Sequence, residues 1–238
     1  MTTNTASDST ILSSVKEHVT ANPDNGEFTW DMESIIDMIS SLGIAGIIIM
    51  VILSLLSIIA VYILIERYSA IKKAGKEDVG FLKNIKNYVD QKNISDAKRL
   101  CRETNNPVSR MIEKGVSRID KPMTDISAAI ENQGKLEIYK MENNLANLAT
   151  IAGAAPMIGF LGTVIGMILA FGEMEHGGVE VSDLSAGIKT AMVTTVGGLI
   201  VGIIAYISYN YLVSKIEKVI FLLEARTTEF LDHLHNTE

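Results

Sequence analysis

The segment Ala155–Phe171 reads APMIGFLGTVIGMILAF, and it combines the length of a membrane span with residues that weaken a helix. It contains one proline, three glycines and one threonine, but no charged residue. A helix that only anchored the chain in lipid would be expected to use leucine or isoleucine instead. The small residues indicate close packing against other helices, because helix association in lipid depends on van der Waals contact rather than on water exclusion.

Two further segments are uncharged over a comparable length. The three uncharged runs have 23, 28 and 25 residues and are Gly43–Ile65, Leu145–Gly172 and Thr190–Ser214. A membrane-spanning helix needs roughly 20 apolar residues, and its backbone polar groups must be satisfied within the segment. Buried helices of a large soluble protein are a poor alternative in a chain of 238 residues. The sequence predicts an all-α membrane protein with transmembrane helices at 43–65, 145–172 and 188–213.

Apart from Lys189, which lies at the outer end of span three and can extend to the headgroups, the basic residues near these spans lie on one side. Residues 19–42 and the loop 173–187 contain no lysine or arginine, whereas Arg67 and Lys72 follow the first span and Lys215 follows the third. Lysine and arginine collect on the cytoplasmic side of a membrane. The N-terminus and the loop are therefore predicted to be periplasmic. Residues 66–144 and 214–238 are predicted to be cytoplasmic.

The N-terminal region divides into two predicted segments. Residues 1–29 are polar and are expected to be disordered. Residues 30–42 repeat apolar side chains at helical spacing, with Trp30 at the start. This pattern predicts an amphipathic helix in the outer membrane–water interface, with a polar extension of the first span as the alternative.

The segment 66–144 is expected to form a helical cytoplasmic domain. Ser95 is predicted to cap a short helix that runs through Cys101, and Pro107 is predicted to open the next helix after Asn106. The last helix of this segment starts near Met123 or Thr124, and no stop signal precedes the second span. We therefore expect one continuous helix from the cytoplasm into the membrane. The third span likewise continues as a C-terminal helix through 214–238.

Small residues on the second and third spans are the predicted packing sites. Gly159, Gly162 and Gly166 share one side of span two, and Gly198 and Gly202 form a GxxxG pair in span three. A proline within a helix, Pro156, frees a carbonyl one turn earlier.

Four threonines are the candidate pore-lining residues. Thr163 lies in span two, Thr194 and Thr195 lie in span three, and Thr190 lies one turn further outward. Each hydroxyl could instead bond to a carbonyl of its own helix, which would leave it chemically inert. The set predicts a narrow and mildly polar inner surface.

Several function classes are disfavoured by what the sequence lacks. The three uncharged runs contain no histidine either, so a proton relay would need a titrating group from another chain. We find no P-loop, HExxH, CxxC or GxSxG motif, and we predict no enzyme activity, no metal site and no cofactor. The net charge of −7 argues against nucleic acid as a partner.

Two of these segments resemble a known family. Ala155–Phe171 resembles the span-two signature of the MotA/TolQ/ExbB proton-channel family, and Gly187–Leu212 resembles its span-three signature. The Glu66–Arg67 pair after span one and the three-span topology are similar to the ExbB and TolQ branch. The resemblance implies a ring, a pentamer, in a bacterial inner membrane with spans two and three lining a pore. It also implies pore threonines at Thr163 and Thr195 and the span-two proline at Pro156.

The same resemblance implies partners and a function. Two copies of a single-span partner of the ExbD or TolR type would sit inside the ring and supply an aspartate. The protonmotive force would then energise a TonB-like protein for transport across the outer membrane. A TolQ-like role in envelope maintenance and a passive membrane scaffold are the alternatives. Many relatives carry a glutamate where this chain has Thr190. The resemblance therefore does not say which groups would pass protons in the outer half of the route.

Overall fold

The computed structural model describes residues 44–75, 80–175 and 181–236, and all regular structure in these ranges is helical. The predicted disordered segment 1–29 and interfacial helix 30–42 lie outside the described residues. The described helices are α1 Ile44–Ala74, α2 Phe81–Asp90, α3 Ile94–Thr104, α4 Pro107–Val116, α5 Met123–Glu142, α6 Leu145–Glu175 and α7 Val181–His235. Helices α1, α6 and α7 carry stretches long and apolar enough to cross a membrane. For the described residues, this confirms the prediction of an all-helical fold with three such segments.

Helix α1 packs one narrow side against α6 and α7. Ile49 and Leu53, one turn apart, are buried and form a small apolar cluster with Ala155 of α6. Most of the remaining surface of α1 is apolar and exposed, as at Ile48 and Leu55. Such a surface suits a helix that contacts lipid on its outer side.

Local capping explains where the short helices begin. The side chain of Asn93 accepts a hydrogen bond from the backbone N–H of Asp96, so Asn93 rather than Ser95 caps α3. The predicted cap at Ser95 is wrong, because the helix already begins at Ile94 and its N-cap residue is Asn93, two positions before Ser95. At α4 the prediction is confirmed, since Asn106 and Ser109 form a reciprocal capping box and Pro107 occupies the first helical position.

The predicted continuous helix from Met123 into the second span is divided in the structure. Helix α5 ends at Glu142 and α6 begins at Leu145. Between them, Asn144 adopts the left-handed backbone conformation with φ of 64°. Asparagine tolerates this conformation better than most residues, which allows a helix break without glycine or proline.

Helices α6 and α7 form an antiparallel pair. Pro156 lies inside α6 without ending it. Helix α7 has 55 residues and begins at Val181, within the segment 173–187 predicted as a loop. Its C-terminal part packs on the short helices, where Phe230 is fully buried in the apolar core.

Candidate functional site

The small residues of α6 and α7 bring the two backbones into contact. A Cβ atom placed at Gly198 would lie 2.5 Å from the carbonyl oxygen of Ala155 and 2.9 Å from the Cα of Gly159. At Gly159, a Cβ atom would lie 2.7 Å from the carbonyl oxygen of Thr194. No side chain fits into these gaps, so glycine is required at both positions for this helix separation.

The proline of α6 is part of the same contact. A Cβ atom at Gly202 would lie 2.5 Å from Cγ of Pro156 and 3.2 Å from the carbonyl oxygen of Ala152. Ala152 is four residues before Pro156, so its carbonyl is the one that the proline leaves without a helical N–H. Gly202 therefore packs against both the ring and the freed carbonyl.

The contact continues along the remaining glycines of α6. Gly166 faces Ala191, whose Cβ would be 2.6 Å from an added Cβ atom, and Gly162 faces the side chain of Thr194. All five predicted packing glycines thus lie between α6 and α7 of one chain. We call this contact the glycine seam, formed by Gly159, Gly162, Gly166, Gly198 and Gly202.

Two threonine hydroxyls of α7 converge on one carbonyl of α6. Thr195 donates a hydrogen bond of 3.0 Å to the carbonyl oxygen of Gly159. Thr194 lies 3.2 Å from the same oxygen and 2.7 Å from the carbonyl oxygen of Ala191 in its own helix. The seam is therefore joined by hydrogen bonds as well as by close packing.

Thr163 and Thr195 lie on the side of the seam that faces away from α1. Ile158 and Ile165 of α6 and Gly197 of α7 contact α1. Helical geometry places Thr163 about 160° around α6 from Ile165, and Thr195 about 160° around α7 from Gly197. Both threonines are half-buried, so the structure brings two hydroxyls to one partly open face.

The other two predicted threonines are placed differently. Thr194 is only 1% exposed, and its side chain packs against Gly162 of α6. It is a packing residue of the seam and does not reach the open face. Thr190 lies on α7, and its side chain is outside the described residues.

The hydroxyl of Thr163 donates to the carbonyl oxygen of Phe160 at 2.7 Å. This bond within one helix is the alternative that the sequence left open. A rotating hydroxyl can both donate to a carboxylate and accept from water, but it does not hold a proton by itself. The open face can therefore orient a proton carrier that another chain supplies.

A buried carboxylate lies beyond the end of the seam, outside the spans. Glu137 of α5 is 2% exposed, and its two oxygens accept hydrogen bonds of 3.0 and 2.6 Å from the guanidinium of Arg110. Gln133 and Lys140 also donate to it. Burial raises the pKa of Glu137, but the hydrogen bonds and charges of Arg110 and Lys140 outweigh it and hold the pKa below its ordinary value.

This network reaches the first span through Arg67. The guanidinium of Arg67 is buried, donates to the carbonyl oxygen of Lys140 at 2.9 Å and pairs with Glu66. Sequence reasoning missed Glu137, although it shares the helical spacing of Ile130, Gly134 and Met141, which are all buried. The sequence pattern that could have identified it is a charged residue at a position where the helical spacing predicts a buried apolar one.

Within the described ranges, no group of three or more His, Cys, Asp or Glu residues is arranged to hold a metal ion. The single cysteine, Cys101, is buried in the apolar core.

A profile of the MotA/TolQ/ExbB proton channel family matches residues 103–225, which is more than half of the chain. The match includes α6, the seam and most of α7. The chain belongs to the MotA/TolQ/ExbB proton channel family. This family is one of membrane channel proteins rather than of enzymes.

Individual relatives point to the ExbB side of this family. The biopolymer transport protein ExbB of Aquifex aeolicus is 36% identical over 110 residues, which are 45% of this chain and 74% of that protein. An ExbB homolog of Methanothermobacter thermautotrophicus is 31% identical over 129 residues, 54% of this chain and 46% of the homolog. The Tol-Pal system protein TolQ of Haemophilus influenzae is 36% identical over 86 residues, 35% of this chain and 37% of TolQ. The match thus spans less than half of the Methanothermobacter protein and of TolQ.

Proposed function

We propose that this chain is an ExbB-like stator subunit of a proton-driven motor in a bacterial inner membrane. A pentamer of the chain encloses a pore lined by α6 and α7, and two copies of an ExbD-like single-span protein sit inside it. Protons pass through an aspartate of that partner, and the resulting motion energises a TonB-like protein for transport across the outer membrane.

The observation that carries this proposal is the open face of the glycine seam. Thr163 and Thr195 present hydroxyls there, on the side away from α1, while the uncharged runs contain no Asp, Glu, His, Lys or Arg. A hydroxyl pair is suited to hold and hydrate a carboxylate that belongs to another helix. The missing proton carrier and the polar face together favour a partner helix with an acidic residue.

The proposed orientation follows from charge. Lysines and arginines come directly after the apolar run of α1 and after the apolar run of α7. None lies in residues 173–187. The N-terminus and the α6–α7 connection are accordingly periplasmic, and residues 66–144 and 214–238 are cytoplasmic. Proposed membrane segments are 43–65, 145–172 and 188–213.

A TolQ-like role in envelope maintenance is the second candidate, and similarity to the TolQ protein of Haemophilus influenzae favours it. A passive scaffold for a single-span partner is the third candidate. The scaffold differs from both motors because it predicts no dependence on the protonmotive force.

Thr163→Val is the variant that tests the motor. Proton flux is measured into liposomes that contain the full chain and its co-purified single-span partner. We expect flux to fall about tenfold or more, because a hydrogen bond to a charged group contributes about 1.5–3 kcal/mol. Thr150→Val is the matched control, since Thr150 is an exposed residue of α6 whose hydroxyl also bonds within its own helix, to Ala146.

Assembly is checked in both variants by the mass of the purified complex. Flux that requires the partner and its aspartate, and that falls only in Thr163→Val, supports the motor. Unchanged flux in Thr163→Val contradicts the role of this hydroxyl. Absence of proton flux in every preparation favours the scaffold, and a repeat with a sodium gradient separates a different ion from a closed channel.

A further inference from the structure

A groove of about 380 Å³ lies between α1 and α7, just beyond the ends of their apolar runs. We call it the basic groove; its lining includes Tyr68, Lys72, Leu212, Lys215, Lys218 and Leu222. The apolar run of α1 ends at Ile65 and that of α7 ends at Ser214. The groove therefore lies within about two turns of the point where both helices leave the apolar layer.

The groove presents three lysines, Lys72, Lys215 and Lys218. Among the described residues, neither Lys72 nor Lys215 nor Lys218 forms an ion pair. Glu66, the acidic residue of α1 that precedes Lys72, is already paired with Arg67 at 2.5 Å. Three positive charges thus surround one cavity, and no carboxylate in the described ranges pairs with them.

Two tyrosines hold these lysines close to the groove. The Nζ atom of Lys215 is 5.4 Å from the ring centre of Tyr211, and that of Lys72 is 6.0 Å from the ring centre of Tyr68. The two rings stack on each other with their centres 6.2 Å apart. Cation–π contacts of this kind favour particular positions for the flexible lysine side chains, so both ammonium groups stay at the rim.

The floor of the groove is apolar. Ile71, Leu212 and Val219 line it and are almost completely buried. A free phosphate ion would form ion pairs with the lysines but would make no favourable contact with the apolar floor. A molecule with a phosphate and a hydrocarbon chain would use both parts, because the floor is continuous with the apolar surface of the spans.

We propose that the basic groove binds an anionic phospholipid of the cytoplasmic leaflet. Its phosphate lies between Lys72, Lys215 and Lys218, and one acyl chain runs along Leu212 toward the apolar run of α7. This inference rests on the proposed membrane orientation of the chain and not on proton transport. The lipid would stabilise the position of α1 against α7 where the spans enter the cytoplasm.

Native mass spectrometry of the full-length protein in detergent tests this proposal without any flux measurement, so its failure is distinct from failure of the proposed motor. The protein is titrated with dioleoylphosphatidylglycerol, with dioleoylphosphatidylcholine and with glycerol phosphate, the water-soluble headgroup. Of the three ligands, we expect phosphatidylglycerol to remain bound up to the highest collision energy. The double variant Lys215→Gln/Lys218→Gln is expected to weaken that adduct about 30-fold, because each of the two lysines near a membrane surface contributes about 1 kcal/mol, or about fivefold in affinity.

Lys73→Gln/Lys83→Gln is the matched control, since both side chains are exposed, lie outside the groove lining and remove the same charge. Leu222→Trp fills the groove while keeping every lysine, and it is expected to reduce the adduct as well. Equal loss in the control variant would show charge attraction without a site and would overturn the proposal. So would binding of glycerol phosphate as tight as that of the lipid, or unchanged lipid binding in Lys215→Gln/Lys218→Gln. A change of oligomeric mass in that variant, with no lipid adduct in the unmodified protein, would instead assign the groove to a second copy of the chain.

Discussion

Threonine hydroxyls along the seam differ in what their surroundings leave them free to do. Thr194 is enclosed and bonds to two carbonyl oxygens, so its hydroxyl has no remaining freedom. Thr195 shares the Gly159 carbonyl but is half-buried, and Thr163 bonds only to its own helix. A bond within one helix turn can be exchanged for another without moving the backbone. Thr163 is therefore the hydroxyl that an incoming carboxylate can most readily recruit.

Cys101 offers a prediction that depends on one side chain. Burial, and to a smaller extent the negative charge of Glu113, raises the pKa of its thiol from 9.0 to about 12. The thiolate is the reactive form, so its population at about pH 8 falls roughly a thousandfold, and only 1% of the residue is exposed. We expect no labelling of the folded chain by iodoacetamide, and rapid labelling once denaturant unfolds it.

Ser95→Cys is the control for this labelling experiment. Ser95 is exposed on the same helix, α3, so the variant should gain one thiol that reacts in the folded state. Labelling of Cys101 in the folded unmodified chain at the rate of this added cysteine would contradict the assignment of Cys101 to the core.

At the level of helices, the seam makes α6 and α7 one unit. Every predicted packing glycine contacts the other helix of the same chain, and the hydroxyls of Thr194 and Thr195 cross the same boundary. In lipid, where no water is expelled when helices meet, such backbone proximity is a main source of association. The outer faces remain free for contacts between copies of the chain.

A methyl group at the seam should separate these two helices. In Gly198→Ala the added Cβ atom meets the carbonyl oxygen of Ala155 at 2.5 Å, and a backbone atom cannot rotate away. Overpacking of this kind costs about 1–3 kcal/mol. We expect a lower apparent melting temperature in detergent, measured by circular dichroism at a fixed scan rate.

Gly153→Ala provides the comparison, because nothing lies within 4 Å of a Cβ atom at Gly153 in the same pair of helices. Alanine also favours a helix more than glycine does, so this variant should melt at the same temperature or higher. If both variants lost the same stability, the tight contact at Gly198 would not be the cause.

Sequence patterns located the helices better than they located their contacts. Uncharged runs identified the three long apolar segments, and Asn106 with Pro107 marked the start of α4, because these signals are local. The α5–α6 break was missed because Asn144 carries no strong stop signal, and its left-handed backbone depends on the packing around it. The partners of the glycines depend on the register between α6 and α7, which no single segment contains.

At the scale of the whole molecule, one buried charge network connects the membrane segments with the short helices. Glu137 joins α5 to Arg110 of α4, and the carbonyl of Lys140 receives the guanidinium of Arg67 from α1. Three helices are thereby fixed at one place just outside the spans. Sequence analysis predicted a helical domain in this region but not this connection. An ion pair between residues 27 apart and a hydrogen bond to a backbone carbonyl between residues 73 apart leave no local pattern.

Glu137→Gln tests how much this network stabilises the fold. The neutral amide keeps the volume but leaves Arg110 without its carboxylate, and we expect a loss of about 2 kcal/mol, since Arg110 remains partly hydrated. The pKa of Glu137 is lowered in the folded state, so its stabilising effect is present above the ordinary pKa of 4.5 and is lost as the pH falls through the lower folded value. Melting temperatures at pH 7 and across the range below about pH 4.5 measure both effects.

Glu131→Gln is the matched control on α5. Its ion pair with Lys135 is exposed on both sides, and water and salt screen such pairs strongly. We expect this variant to melt like the unmodified chain at pH 7 and to keep its acid sensitivity, whereas Glu137→Gln should lose part of that sensitivity. Identical behaviour of the two variants would contradict a special role for the buried carboxylate.

The break at Asn144 gives the two membrane arms of this chain different mechanical properties. Helix α7 runs without proline for 55 residues, or about 80 Å, and carries Phe230 near its C-terminal end into the apolar core with the short helices. Its continuous backbone hydrogen bonds allow it to transmit torque along its full length. The other arm is interrupted between α5 and α6 at Asn144, so no continuous helix connects α6 with α5. Rotation imposed on the apolar segments would thus reach the core of the short helices along one continuous helix, α7.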